Sequence, residues 1–280
     1  MRVQFTDFEA PRRKAIAAMH SSLDAGAWED NARFITELRT AISRHRVAAH
    51  PAIAALNSGA LPSTAMRRIH LEYRHAIVQV FTDALLMAQH LSHRLEPRLP
   101  PGTKMAARFL LTLNDLDEFG FRPGTDSRGD YAGNPAYAHY PLFEAVCDDL
   151  GISLAQRREY IPSSVAQQVR AFLEAAYVDY DAVVALLAVA EEEVILFSPP
   201  LRQATKALGI DVSTGYYHVH GLSTDDTAEA ADDAHEDDLW VILNQALESK
   251  RYAEIRTACL RYCDLWDEFW TEQLRRSKEP

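Results

Sequence analysis

The chain has 280 residues, 48% hydrophobic and 25% charged, enough apolar material for a large core and too much for a disordered chain. Its formal net charge of -11 repels phosphate backbones and anionic lipid surfaces, which argues against nucleic-acid and membrane partners. Three cysteines (Cys147, Cys259 and Cys263) make no disulfide framework and, without further soft ligands, no zinc site. The longest apolar run, Ala182 to Ala190, is too short to span a bilayer, and the first residues lack the apolar stretch of a secretory signal. The expected location is the cytoplasm.

Helical periodicity predicts an all-α, single-domain bundle of about seven core helices over residues 1–280, with an N-terminal helical extension at 1–48. Leu61-Pro62-Ser63-Thr64 reads as a helix start with Ser63 as N-cap. Apolar residues then recur at three-and-four spacing through Ile69, Ile77, Val80, Phe81 and Leu85, until Pro97, Pro100, Pro101 and Gly102 end the pattern. A second helix is predicted over Lys104 to Glu118. Residues 120–135, with Pro123, Gly124, Gly129, Gly133 and Pro135, predict a long loop without regular structure. Further helices are expected over Ala136–Leu150, Ser163–Val178 and Asp179–Phe197, the last broken by Ser198-Pro199-Pro200 and continued through Leu208. Tyr216–Gly221, Thr227–Leu247 and Ala253–Leu274 complete the series, with no β-rich stretch.

Three clusters carry candidate chemistry. Ala182 to Ala190 has no polar face, so its helix is buried all round, and Glu191, Glu192 and Glu193 follow directly. Three consecutive helical residues sweep roughly 200° of the circumference, so at least one of these acids points into the bundle. A buried carboxylate must be protonated, paired or metal-bound. The alternative is that burial ends there and all three face solvent. Asp232-x-x-His235 places a carboxylate and an imidazole on one helix face, a pattern found in carboxylate-bridged metal sites. Upstream, His218 and His220 point in different directions, so at most one joins such a site. Asp115-x-Asp117-Glu118 and His139 bracket the long loop, which can bring Glu118 and His139 together. This mixture of carboxylate and imidazole suits iron or manganese, and a two-metal centre needs about six such ligands.

In order and spacing these motifs resemble the haem-oxygenase-like diiron oxidases, iron-containing redox enzymes of the TenA/PqqC-like fold. The resemblance runs over roughly residues 50–245: His50-Pro51, Ser58-Gly59-Ala60-Leu61, Leu113-Asn114-Asp115-Leu116-Asp117-Glu118-Phe119-Gly120, Gly133-Asn134-Pro135, His139, Leu142-Phe143 and Leu150-Gly151-Ile152. It implies two iron ions held by Glu118, His139, Glu191, His220, Asp232 and His235, with O2 as co-substrate and an external reductant. It also implies an amino acid or amino-acid-derived substrate, handled by N-oxygenation, desaturation or oxidative C–C cleavage in specialised metabolism. A homodimer is expected by analogy of fold.

Two departures stand out. The loop between Glu118 and His139 is longer than in the family. The family's last motif is His-x-x-x-Asp-x-x-His, whereas here His220 lies twelve residues before Asp232 and Ala228 occupies the expected position: either the helix has an insertion between His220 and Asp232, or Glu229, one turn before Asp232, replaces the first His. Glu192 is the alternative to Glu191. On the long helix that lines the pocket in relatives, Tyr73 and Arg74 are candidates for substrate binding, Arg74 by pairing a carboxylate. Competing readings are a ferritin-like diiron protein using Glu72-x-x-His75 with Asp232-x-x-His235, a metal-free thiamin-degrading relative needing a nucleophilic cysteine, and a non-catalytic acidic helical interaction protein.

Overall fold

A computed structural model describes residues 11–123, 131–220 and 231–278; of these, the side chains of 122–123, 131–132 and 231–234 are not described. The architecture is all-α. Helices α1 (Pro11–His20), α2 (Ala25–Ser43), α3 (Pro51–Asn57), α4 (Ser63–Tyr73), α5 (Phe81–Leu91) and α6 (Lys104–Glu118) form the first part. After them come α7 (His139–Asp149), α8 (Leu154–Glu159), α9 (Ser164–Ala175), α10 (Tyr180–Ala207), α11 (Tyr216–Val219), α12 (Ala231–Ala246) and α13 (Tyr252–Ser277).

Helix α10 is the axis. It packs against α3, α5, α12 and α13, so residues 183–190 are buried on every side, as their lack of a polar face requires. Asp179 caps it by accepting from the Ala182 amide at 3.1 Å. Pro199 and Pro200 do not break it: the helix runs on to Ala207. Packing on several flanks outweighs the lost backbone hydrogen bonds of two prolines, with Pro200 itself buried. The described part of the N-terminal helical segment, from Pro11 onward, contributes to the core. Met19, Phe34, Leu38 and Ile42 join one continuous apolar cluster with α12 and α13.

Two further differences bear on the site. The helix start at Ser63 is capped by Pro62, without a side-chain cap. Between α4 and α5, Arg74–Val78 forms a π-turn in which the Gln79 amide reaches back to the Arg74 carbonyl at 3.1 Å. Such turns are rare and cluster at functional sites. The segment after α6 is not wholly irregular either. β1 (Phe121–Pro123) pairs antiparallel with β2 (Tyr131–Gly133), Phe121 facing Gly133, and residues 124–130 lie outside the described structure.

Candidate metal centre

The ribbon positions the first two donors. Gly120 ends α6 at φ +77°, where a Cβ would lie 2.6 Å from the Ala138 nitrogen and 2.7 Å from the Asn134 carbonyl oxygen. Only glycine allows that approach. The Asn134 amide donates to the Gly120 carbonyl at 3.3 Å, folding the returning chain onto the helix end. This lays His139, the first residue of α7, against Glu118, with Nδ1 to Oε1 at 2.8 Å. Burial would raise the Glu118 carboxyl, but the charge and hydrogen bond of His139, with His220 and His235 behind, hold it below its ordinary value.

Helix α11 supplies the next donor. His70 of α4 is fully buried and meets the Tyr217 hydroxyl at 2.7 Å, tying α11 to the bundle. His220 at the end of α11 then lies edge-on to His139, ring centres 4.5 Å apart, with the Tyr216 ring centre 4.3 Å away. His218 is exposed. One atom each from Glu118, His139 and His220, all buried, lies within 4.8 Å of the others; among the described residues no other group of three such side chains converges this closely.

The three glutamates of α10 point to three places, as the 100° step requires. Glu191 is 2% exposed, lines the same cavity as Glu118, His139 and His220, and accepts from the Asn114 amide at 3.1 Å. Glu192 lines a separate cavity on another side of α10. Glu193 is buried between the Tyr73 hydroxyl and the Trp270 indole, each donating at 2.9 Å. The solvent-facing alternative for this triplet is therefore wrong for Glu191 and Glu193.

From α12, buried His235 comes within 4.0 Å of Asp117, whose same oxygen is 3.5 Å from His139 Nε2. Asp117 and Asn114 were visible in the sequence only as neighbours of Glu118; Asn114 shares its helix face at i-4, the signal that could have found it, whereas Asp117 at i-1 lies about 100° round the helix and no spacing rule picks it out. The Asp232 side chain, Ala228 and Glu229 lie outside the described residues.

The cavity at this cluster holds about 30 Å³ and is walled by Ile77, Val78, Phe81, Val194 and Tyr216. The π-turn delivers the first two of these. That volume suits ions and one or two small ligands. Two imidazoles and a carboxylate, buried and converging, with Glu191 on the same wall, make a donor set that could hold a metal ion.

No protein-family model matches the sequence, and no curated protein matches it. Solved structures do. A TenA homologue from Pseudomonas syringae pv. tomato aligns with TM-score 0.61 at 14% identity, over 87% of this chain and 92% of its own. A CADD-like protein of unknown function from Nostoc punctiforme gives 0.59 at 13%, over 89% and 99%. A TenA family transcription regulator from a Silicibacter species gives 0.55 at 15%, over 87% and 95%. This chain has a TenA-like helical fold. At these identities the likeness is one of fold.

Within the TenA-like bundle, the remaining candidates are spoken for. Tyr73 and Arg74 do not reach the metal cavity: Tyr73 is buried among Phe143, Trp266 and Trp270 with its hydroxyl on Glu193, and Arg74 pairs with Glu144 and the Tyr140 hydroxyl. The ferritin-like pair fails because Glu72 is consumed elsewhere. Its carboxylate accepts from Tyr160 at 2.6 Å, from the Ser163 amide and hydroxyl, and from Arg276 at 2.9 Å, pinning the start of α9 to α4. Cys147 is fully buried, and burial, with Glu144 nearby, pushes its thiol up to about 12, unsuited to a nucleophile. No helix of the described residues is long and apolar enough to cross a membrane.

Proposed function

We propose that this protein is a non-haem diiron oxidase that uses O2 on an amino acid or amino-acid-derived small molecule. The observation that carries this reading is the buried convergence of Glu118, His139 and His220, with Glu191 on the wall of the same cavity and His235 beside Asp117. Glu118, His139, Glu191, His220, Asp232 and His235 are the proposed ligands, and O2 and an external reductant the co-reactants. Two ferrous ions held there would supply electrons to O2.

The chain's own residues prepare that chemistry. Asn114 donates to Glu191 and orients its carboxylate. The Tyr216 ring sets the plane of His220. Asp117 faces Nε2 of His139 at 3.5 Å and of His235 at 4.0 Å, and is placed to accept from His139 Nε2–H while Nδ1 faces Glu118. Ile77, Val78, Phe81 and Val194 keep bulk water from the cavity.

The test is an anaerobic titration of the whole protein with ferrous iron, counting bound metal, followed by mixing with O2 and recording the absorption spectrum. Two irons per chain and an oxygen-dependent band support the reading and justify screening amino acids for faster decay of that band. Absence of stoichiometric binding overturns the ligand set and returns weight to an acidic helical interaction protein.

A further inference from the structure

On another side of α10 from the metal cluster lies a cavity of about 720 Å³, between α2, α10, α12 and α13. Its size is that of a small-molecule site. Ile42, Val47, Val189, Ile195, Leu196 and Trp266 form an apolar floor. Thr36, Thr40, Ser43 and Glu193 add polar groups to the wall, and Glu192 and Glu236 both line it with Arg39 as the neighbouring cation.

That guanidinium is shared. It reaches Glu236 at 2.8 Å and Glu192 only at 4.0 Å, while also pairing with Asp237 at 3.0 Å. The Trp240 indole donates to Glu236 at 2.6 Å. Around Arg39, three carboxyl groups (Glu192, Glu236 and Asp237) thus face one guanidinium, so acidic groups outnumber cations. A bare divalent ion would need several more oxygens and far less space. An ammonium supplies three donors and one positive charge, and its carbon chain suits the floor.

We propose that this cavity is a second ligand site, taking a small primary amine with an apolar body: the ammonium beside Glu192 and Glu236, the body against Ile195, Leu196 and Trp266. It does not depend on the metal centre, although α10 and α12 each serve both, through Glu191 and Glu192 and through His235 and Glu236.

Phenethylamine is the probe, titrated by calorimetry into the full chain, iron-free and iron-loaded, with phenylacetate as the control of opposite charge. One amine should bind per chain, with phenylacetate at least ~10-fold weaker. Glu192→Gln should weaken the amine ~10-fold or more. Leu196→Trp, which places an indole where the amine's body would lie, and Ser43→Phe, from the exposed α2 wall, should each weaken it ~10-fold or more. The idea is overturned by non-saturable amine binding, by equal binding of phenylacetate, or by obstructed variants that bind like the parent. Since binding is read on iron-free protein, a failure of iron uptake would leave this result intact.

Discussion

Glu118 is pulled two ways, upward by burial and downward by the imidazoles of His139, His220 and His235. A side chain so held is preorganised for a cation, and removing it or its partner should be felt as lost metal. Glu118→Ala and His139→Ala should each lower ferrous affinity at least ~10-fold, whereas His75→Ala should leave it unchanged. Metal counting after reconstitution checks this, and equal loss in the His75 variant would revive the ferritin-like arrangement. At His70, burial lowers the imidazole from 6.5 to about 4, against the opposing pull of the Met66 carbonyl. Between those values the unfolded chain binds the proton and the folded chain does not, so stability rises with pH through that window. The contribution is complete above about 6.5 and is lost toward pH 4, at most ~3 kcal/mol. Urea unfolding at pH 7, 5.5 and 4.5 should show a smaller pH slope for His70→Gln. Coincident slopes would mean that His70 is solvated.

At the scale of elements, the return of the chain after α6 decides whether the donors meet. Gly120→Ala puts a methyl group into the backbone of residues 134–138 at positive φ. It should destabilise the protein by about 1–3 kcal/mol and cost metal affinity, because His139 moves off Glu118. Undisturbed iron binding in that variant would show that the ribbon does not position His139. Helix α10 offers the opposite case. Pro199→Ala restores an amide to a helix that already runs through the position, and should raise stability by ~1–2 kcal/mol net of the unfolded-state penalty. A lower urea midpoint would mean that packing of the ring outweighs the restored bond.

For the whole molecule, metal binding and folding are linked. The donors come from α6, α7, α10, α11 and α12, which are brought together only in the folded state. Ferrous iron should therefore raise the unfolding temperature, with ~2.7 kcal/mol of stabilisation at a hundredfold excess over Kd, and a chelator should reverse it. His139→Ala should show no such shift. An unchanged transition in the parent would argue that the cluster is an ordinary buried network.

Helix class, the fully buried course of α10 and the inward turn of at least one of three acids were legible from periodicity and residue type, because those follow from local geometry and solvation. The course of α6, from about Lys104 to Glu118, was legible from the proline and glycine signals that precede and follow it. The π-turn, the β1–β2 ribbon and the continuity of α10 through two prolines were not, since each depends on distant packing rather than on local preference. The same division runs through the site. Spacing could nominate Glu118, His139, His235, one of the three glutamates and at most one of His218 and His220, and could let Glu118 meet His139 across the loop, but not the convergence of the whole set. It could not tell Glu191 from Glu192, or see that Tyr73 and Arg74 are committed to Glu193 and Glu144. A sequence determines which side chains carry charge and which face of a helix each occupies; which faces meet is settled only when whole helices pack and each buried acid must find its partner.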